Sequence, residues 1–355
     1  MGTWTWMMLN GVHEFVPFYI DLKAIHLKIQ IFVFFGLFIA GFALQSGAHV
    51  LDSKPPRSER VIWIYPLILT GVLLSLLQGE TWQLLGHGVI SLGNLLLLIT
   101  MIQTAIQGTK TRLLPIALLF VIGFSVFTIA PWLDLTQPAQ SFFVVWSAAY
   151  VIVLAAGQQL VANVLGAKRF TASTAWPFAL AILGSVVLVG LSAFTGFDSY
   201  ELVGFSMILP LLIYIIFLGI IPALIKTGPT SLALAFAFSF LWVFSAAITL
   251  IVYGPLWDAI LHQLALGSVT TLILAVGARV LGFFSGKAPL KESTLTLFII
   301  GWQLVPFFRG WSSILALGEW SVWFLSGWVE ALFTIWGIAC FLRVMKVLKP
   351  DQTKG

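Results

Sequence analysis

Apolar residues along this chain gather in long runs, with short polar breaks between them, rather than at the spacing of a half-buried surface helix or strand. Runs of about 17 to 25 apolar residues are long enough to cross a bilayer as a helix. They fall near 29–49, 61–78, 82–106, 113–132, 141–165, 176–196, 202–225, 230–253, 257–283, 293–311 and 320–344, which predicts eleven spans. The expected fold class is all-α, a polytopic transmembrane helical bundle. No linker, soluble insertion or internal repeat divides it. The chain reads as an interfacial leader at 1–28, one transmembrane domain at 29–346 and a cytoplasmic tail at 347–355. Trp4, Trp6, Phe15, Phe18 and Tyr19 suit a leader lying at the membrane interface. It lacks the basic start, apolar core and small-residue cleavage site of a signal peptide.

Composition agrees. Sixty per cent of the residues are hydrophobic and nine per cent charged, and the mean hydropathy is +1.04. A soluble domain carries about a quarter charged residues, so the bilayer is the expected solvent. The net charge of +5 is no nucleic-acid footprint, because its placement alternates. Lys54, Arg57 and Arg60 follow span one, Lys110 and Arg112 span three, and Lys168 and Arg169 span five. Lys226 follows span seven, Lys287 and Lys291 span nine, and Arg343, Lys346, Lys349 and Lys354 close the chain. The intervening connections carry Glu80, Asp134, Asp198, Glu201 and Asp258. The positive-inside rule then puts the C-terminus in the cytoplasm and the N-terminus outside. The single cysteine, Cys340, excludes an internal disulfide and every multi-cysteine metal motif.

Orientation gives depth to the polar groups inside the spans. His26, His87 and His262 all fall toward the external face, on three different spans, where they could converge. Asp258, one turn before His262, could orient its ring. A histidine at a helix end is more often a hydrogen-bonded surface group, and His13 and His49 read that way. Arg309 lies at the outer end of span ten. Arg279, near the inner end of span nine, must reach a membrane face or an acceptor. Asn94, Gln158, Gln159 and Gln303 suit hydrogen bonds between helices. Glu330 is a carboxylate inside span eleven: a protonated, hydrogen-bonded acid, a proton-relay group or the partner of a cation. The tryptophans, Trp302 and Trp311 among them, suit outer-face aromatic belts, and Met7, Met8 and Met207 are conceivable copper ligands.

His262 to Lys287 resembles the signature of the NnrS family, bacterial inner-membrane proteins associated with nitric oxide. The residues that carry the likeness are His262, Leu264, Gly267, Thr271, Leu274, Ala275, Val276, Arg279, Gly286 and Lys287. His26, followed by Phe35, Ile39, Ala40, Gly41 and Phe42, resembles the family's first histidine-bearing helix. Ala156-Gly157 with Gln158-Gln159 stands where the family tends to show a Gly-Gly-Arg run. The chain departs at Lys28, in place of a second histidine, and at Phe283 and Phe284, in place of a Gly-His pair. It also lacks a further span that usually makes twelve.

The resemblance implies haem, with copper as a further possibility, held by His26 and His262; His87 is a third candidate by its depth alone. Arg309 would be a partner for haem propionates, Arg279 another or a membrane-face anchor, and nitric oxide a ligand. The site would serve a response to nitrosative stress in a bacterial inner membrane. No sequence feature shows a substrate, so no catalytic residue is assigned. The rival classes are a cofactor-free transporter, with Asn94, Gln158, Gln159 and Glu330 along its pathway, and a cofactor-free assembly protein.

Overall fold

The computed structural model describes residues 19–56, 58–77, 79–109, 114–285, 291–311, 314 and 328–339. Among them the regular structure is helical, as hydrocarbon requires, because a helix satisfies its own backbone where no water can. Eight helices are long and apolar enough to cross a membrane. They make this a multi-pass membrane protein. Val61–Ser75 and Trp328–Ala339 are shorter apolar helices.

The chain forms two compact units whose sequences interleave. The larger comprises Phe18–Lys226 and Ala246–Leu261; the smaller comprises Met1–Pro17, Thr227–Ser245 and His262–Gly355.

In the larger unit the first helix starts ahead of the expected 29. It runs as α1 (Tyr19–Lys28), a π-helical segment (Ile29–Leu37) and α2 (Phe38–Leu51). His26 therefore belongs to a candidate span, Ala24–Leu51, rather than to a leader. Asp52 ends the helix in a left-handed conformation, φ 55°, and accepts from the Thr109 hydroxyl at 2.8 Å on its Oδ2. Asp and Asn bear that conformation better than most side chains.

α3 (Ser58–Ser75) and α4 (Glu80–Gln107) form an antiparallel hairpin. Their crossing is set by missing side chains. A Cβ on Gly86 would stand 2.4 Å from Ser75 N and 2.7 Å from Gly71 O, and one on Gly93 would stand 2.8 Å from Ile68 Cγ1. Small residues bring membrane helices close because lipid gives apolar side chains no incentive to leave it. Next comes α5 (Leu114–Ile129), ending in a 3-10 turn (Ala130–Trp132). α6 (Pro138–Val144), a second π segment (Val145–Tyr150) and α7 (Val151–Leu165) make one continuous span. This span is 83% buried, against 33% for α8 (Ala172–Thr195). α8 exposes Leu180, Leu183, Val187 and Leu191, one stripe at helical spacing facing lipid.

α9 (Tyr200–Leu218) stops at Gly219, φ 63°, before α10 (Ile220–Thr227). The expected run at 202–225 is thus broken, and the freed Leu218 carbonyl accepts from Lys168 N at 2.8 Å. α11 (Ser231–Tyr253) and α12 (Trp257–His262) follow, then a third π segment (Gln263–Thr270) and α13 (Thr271–Ser285).

In the smaller unit the expected span at 293–311 is also two helices, α14 (Glu292–Trp302) and α15 (Leu304–Trp311), parted at Gln303. Gln303 ties the break shut. Its Oε1 accepts from Trp242 Nε1 at 2.7 Å, and its Nε2 donates to Ile299 O at 2.8 Å and Thr271 Oγ1 at 3.3 Å. Trp302 is not a belt residue: it is buried beside Leu266 and Val305. A π turn shifts backbone pairing from i−4 to i−5, and Leu266 O accepts from the Trp302 indole at 3.0 Å. Ala265 O accepts from Thr270 Oγ1 at 2.8 Å. The expected run at 320–344 is described only over Trp328–Ala339.

Candidate functional site

At one end of the larger unit α1 begins, α3 ends, α4 begins and α5 ends. His87 stands there, two turns into α4. Its ring meets Trp132 edge-on, with centroids 5.7 Å apart and planes at 78°. The indole of Trp132 is fixed in turn, donating to Ser91 Oγ at 2.8 Å, while Ser91 donates to Thr128 O at 2.7 Å. Ser91 is four residues after His87, so both lie on the α4 face that meets α5. His87 Nε2 is buried and has no hydrogen-bond partner.

The side chain within electrostatic range of His87 is that of Lys28. Its Nζ donates to Ser75 O at 3.1 Å, at the end of α3. Helical residues advance by about 100°, so His26 lies about 200° round α1 from Lys28.

His26 is half-buried on α1, and His262 is half-buried at the end of α12. His26 and His87 belong to the larger unit and His262 to the smaller. Both histidines of the two sequence motifs lead into π-helical turns, at Ile29–Leu37 and Gln263–Thr270. Such turns are rare and frequently occur at functional sites.

The other candidates are engaged locally. Gln158 is buried and donates to Ala155 O at 3.4 Å; Gln159 donates to Asn163 Oδ1 at 3.4 Å, which also accepts from Arg169 at 2.9 Å. Asn94 bridges α4 and α5 by donating to Ile90 O at 3.2 Å and Phe127 O at 3.3 Å. Arg279 meets its acceptor in Glu292, at 3.3 Å. Burial pushes the Glu292 carboxyl up, but hydrogen bonding from Ser231 and the Arg279 charge outweigh it, and the group is held below the usual carboxylate range. Glu330 lies within electrostatic range of Arg309.

An imidazole with a buried, unbonded Nε2 fits the requirement of an axial haem ligand. Copper fits less well. It wants several nitrogen or sulfur donors, and among the described residues no group of three or more His, Cys, Asp or Glu forms. Met207 is fully buried in the core. Met7, Met8, His13 and Cys340 lie outside the described residues.

Sequence reasoning took Lys28 only as a missing histidine and passed over Ser91 and Trp132. Helical spacing could have paired His87 with Ser91. Nothing in the sequence points either residue at Trp132, because that contact is made across two helices. No family model, curated protein or solved structure matches this chain.

Proposed function

We propose that the chain is an NnrS-like haem protein of a bacterial inner membrane, serving the response to nitric oxide. In this reading eleven spans put the N-terminus outside, the C-terminus in the cytoplasm and the His87 end of the larger unit at the external face. The observation that carries it is the buried, unpartnered Nε2 of His87. Lipid-facing polar atoms in a membrane protein find partners or are costly, and an iron atom is a partner this nitrogen can take. Trp132, Ser91 and Thr128 support the reading by holding the ring's neighbour in place. His26, in the same unit, is the candidate for a second residue that would hold the group. Haem would supply an iron to which nitric oxide binds. The protein's part is to hold the group, orient it and exclude water. Arg309, with Glu330 in range, is a weaker candidate for a propionate than the sequence suggested.

The transporter alternative gains one observation, the helix break at Gln303, since interrupted spans often line binding sites in transporters. It loses the amides assigned to its pathway, because Asn94 and Gln158 are spent within the bundle. A Glu330→Gln variant that abolishes a transport phenotype, while histidine variants are silent, would favour it.

The test is an optical spectrum of the detergent-purified protein from haem-replete cells, oxidised and dithionite-reduced, with iron measured on the same sample. We expect a Soret band that shifts on reduction, responds to nitric oxide and is lost in His87→Ala. A colourless protein without stoichiometric iron refutes the reading.

A further inference from the structure

Lys28 carries a charge at this end of the larger unit that the haem reading leaves unexplained. It is half-buried within a candidate span, Ala24–Leu51. Among the described residues no carboxylate pairs with it; its Nζ donates to Ser75 O at 3.1 Å. An ammonium has three donors, so donating capacity remains after that bond. A cation in a span is costly unless something meets it.

The position of this ammonium is fixed at a close helix contact. Ser75, which holds it, lies with its backbone against Gly86, where a Cβ would come within 2.4 Å of Ser75 N. Gly86 immediately precedes His87. Lys28 and the imidazole therefore sit on two sides of one rigid crossing, with the Trp132 ring edge-on to the imidazole. An electron-pair donor, a flat aromatic wall and a cation with spare donors thus lie at one end of the unit. A planar molecule with a metal centre and an acidic edge would meet all of them.

We propose that Lys28 anchors the carboxylate edge of a flat amphipathic ligand whose centre is held by His87. The inference rests on the haem reading and makes Lys28 a positioning residue for the propionate side of the macrocycle. It also gives a physical account of the lysine that replaces a family histidine. The plain alternative is a lysine that lays its stem along the helix and its head at the interface, with no ligand at all.

The two differ in what they recognise. The full chain, purified without haem in detergent, is titrated with hemin, with hemin dimethyl ester and with metal-free protoporphyrin IX. Soret absorbance follows the iron compounds, and tryptophan quenching follows the metal-free one. The variants are Lys28→Met, Lys28→Arg and His87→Ala. A hydrogen bond to a charged group implies a loss of roughly ten- to a hundredfold in affinity. We expect that loss in Lys28→Met for hemin and for protoporphyrin IX, little change for the ester, and recovery in Lys28→Arg, which also shows that the variant folds. His87→Ala should alter the Soret band of both iron compounds and leave the acid-over-ester preference in place. Acid and ester responding equally to Lys28→Met would overturn the anchor; a His87-dependent Soret band in the same samples would leave the haem reading standing. If the acid preference depends on Lys28 but no spectrum depends on His87, the anchor stands and the iron ligand falls. If no porphyrin binds the unaltered protein, both fall.

Discussion

The α3–α4 crossing offers a test in which one added methyl group decides the outcome. In Gly86→Ala the new Cβ would stand 2.4 Å from Ser75 N, 2.7 Å from Ser75 Cα and 2.7 Å from Gly71 O. All three are backbone atoms, so no rotamer change can clear them. Reaching ordinary contact, which begins near 3.4 Å, requires the two helices to part by roughly 1 Å, a small-to-large core change that costs about 1–3 kcal/mol. Gly88 is the built-in control. It lies two residues on in the same helix, and a Cβ there meets nothing within 4 Å. Gly88→Ala should gain up to about 1 kcal/mol from helix propensity alone. The two substitutions share the propensity gain, so it cancels in their difference, about 1–3 kcal/mol, which isolates the crossing. The assay is unfolding of the detergent-solubilised protein followed by circular dichroism, with both variants run beside the unaltered chain. Because Ser75 O holds Lys28, Gly86→Ala should also weaken any chromophore at His87, while Gly88→Ala leaves it intact. Equal stability for the two variants would refute the close crossing, and with it the fixed geometry of Lys28 and His87.

Three further outcomes follow from the smaller unit. Gly267→Ala places a Cβ 2.3 Å from Trp242 Cγ; it should displace the indole that holds Gln303 and lower the unfolding midpoint more than Gly88→Ala does. Trp302→Phe keeps a buried ring but removes one donor to Leu266 O, while Thr271 Oγ1 still donates to it at 3.4 Å; it should cost about 0.5–1.5 kcal/mol in the same assay, the net worth of one hydrogen bond. Glu292 sets an acid limb. Its carboxyl is held below the ordinary value in the folded protein, so its contribution is present above the unfolded carboxylate pKa, about 4.3, and is lost as pH falls through the depressed folded value. With Arg279 and Glu292 both about half exposed, the effect is small; Glu292→Gln should flatten that limb of a midpoint-against-pH profile and leave neutral pH nearly unchanged.

The sequence by itself determined the solvent of this protein and its helical, multi-pass character. Long apolar runs admit no other backbone solution in hydrocarbon, and most of the expected runs are helices where they are described. It also singled out the three histidines. It could not say which side chains face one another. In a soluble helix the polar face marks the outside, but here lipid-facing Leu180 and core-facing Ile182 are equally apolar, so periodicity carries little about rotation. That is why the sequence does not pair His87 with Trp132, whose ring it meets, or with Lys28, which lies within electrostatic range. The breaks at Gly219 and Gln303 sit inside runs whose hydropathy is continuous, and hydropathy is blind to backbone geometry. Trp302 looked like an interfacial residue because nothing local distinguishes a belt tryptophan from one whose N–H closes a π turn. The three π segments were equally hidden. In the third, the Leu266 carbonyl takes its donor from Trp302 on another helix, which only tertiary packing supplies.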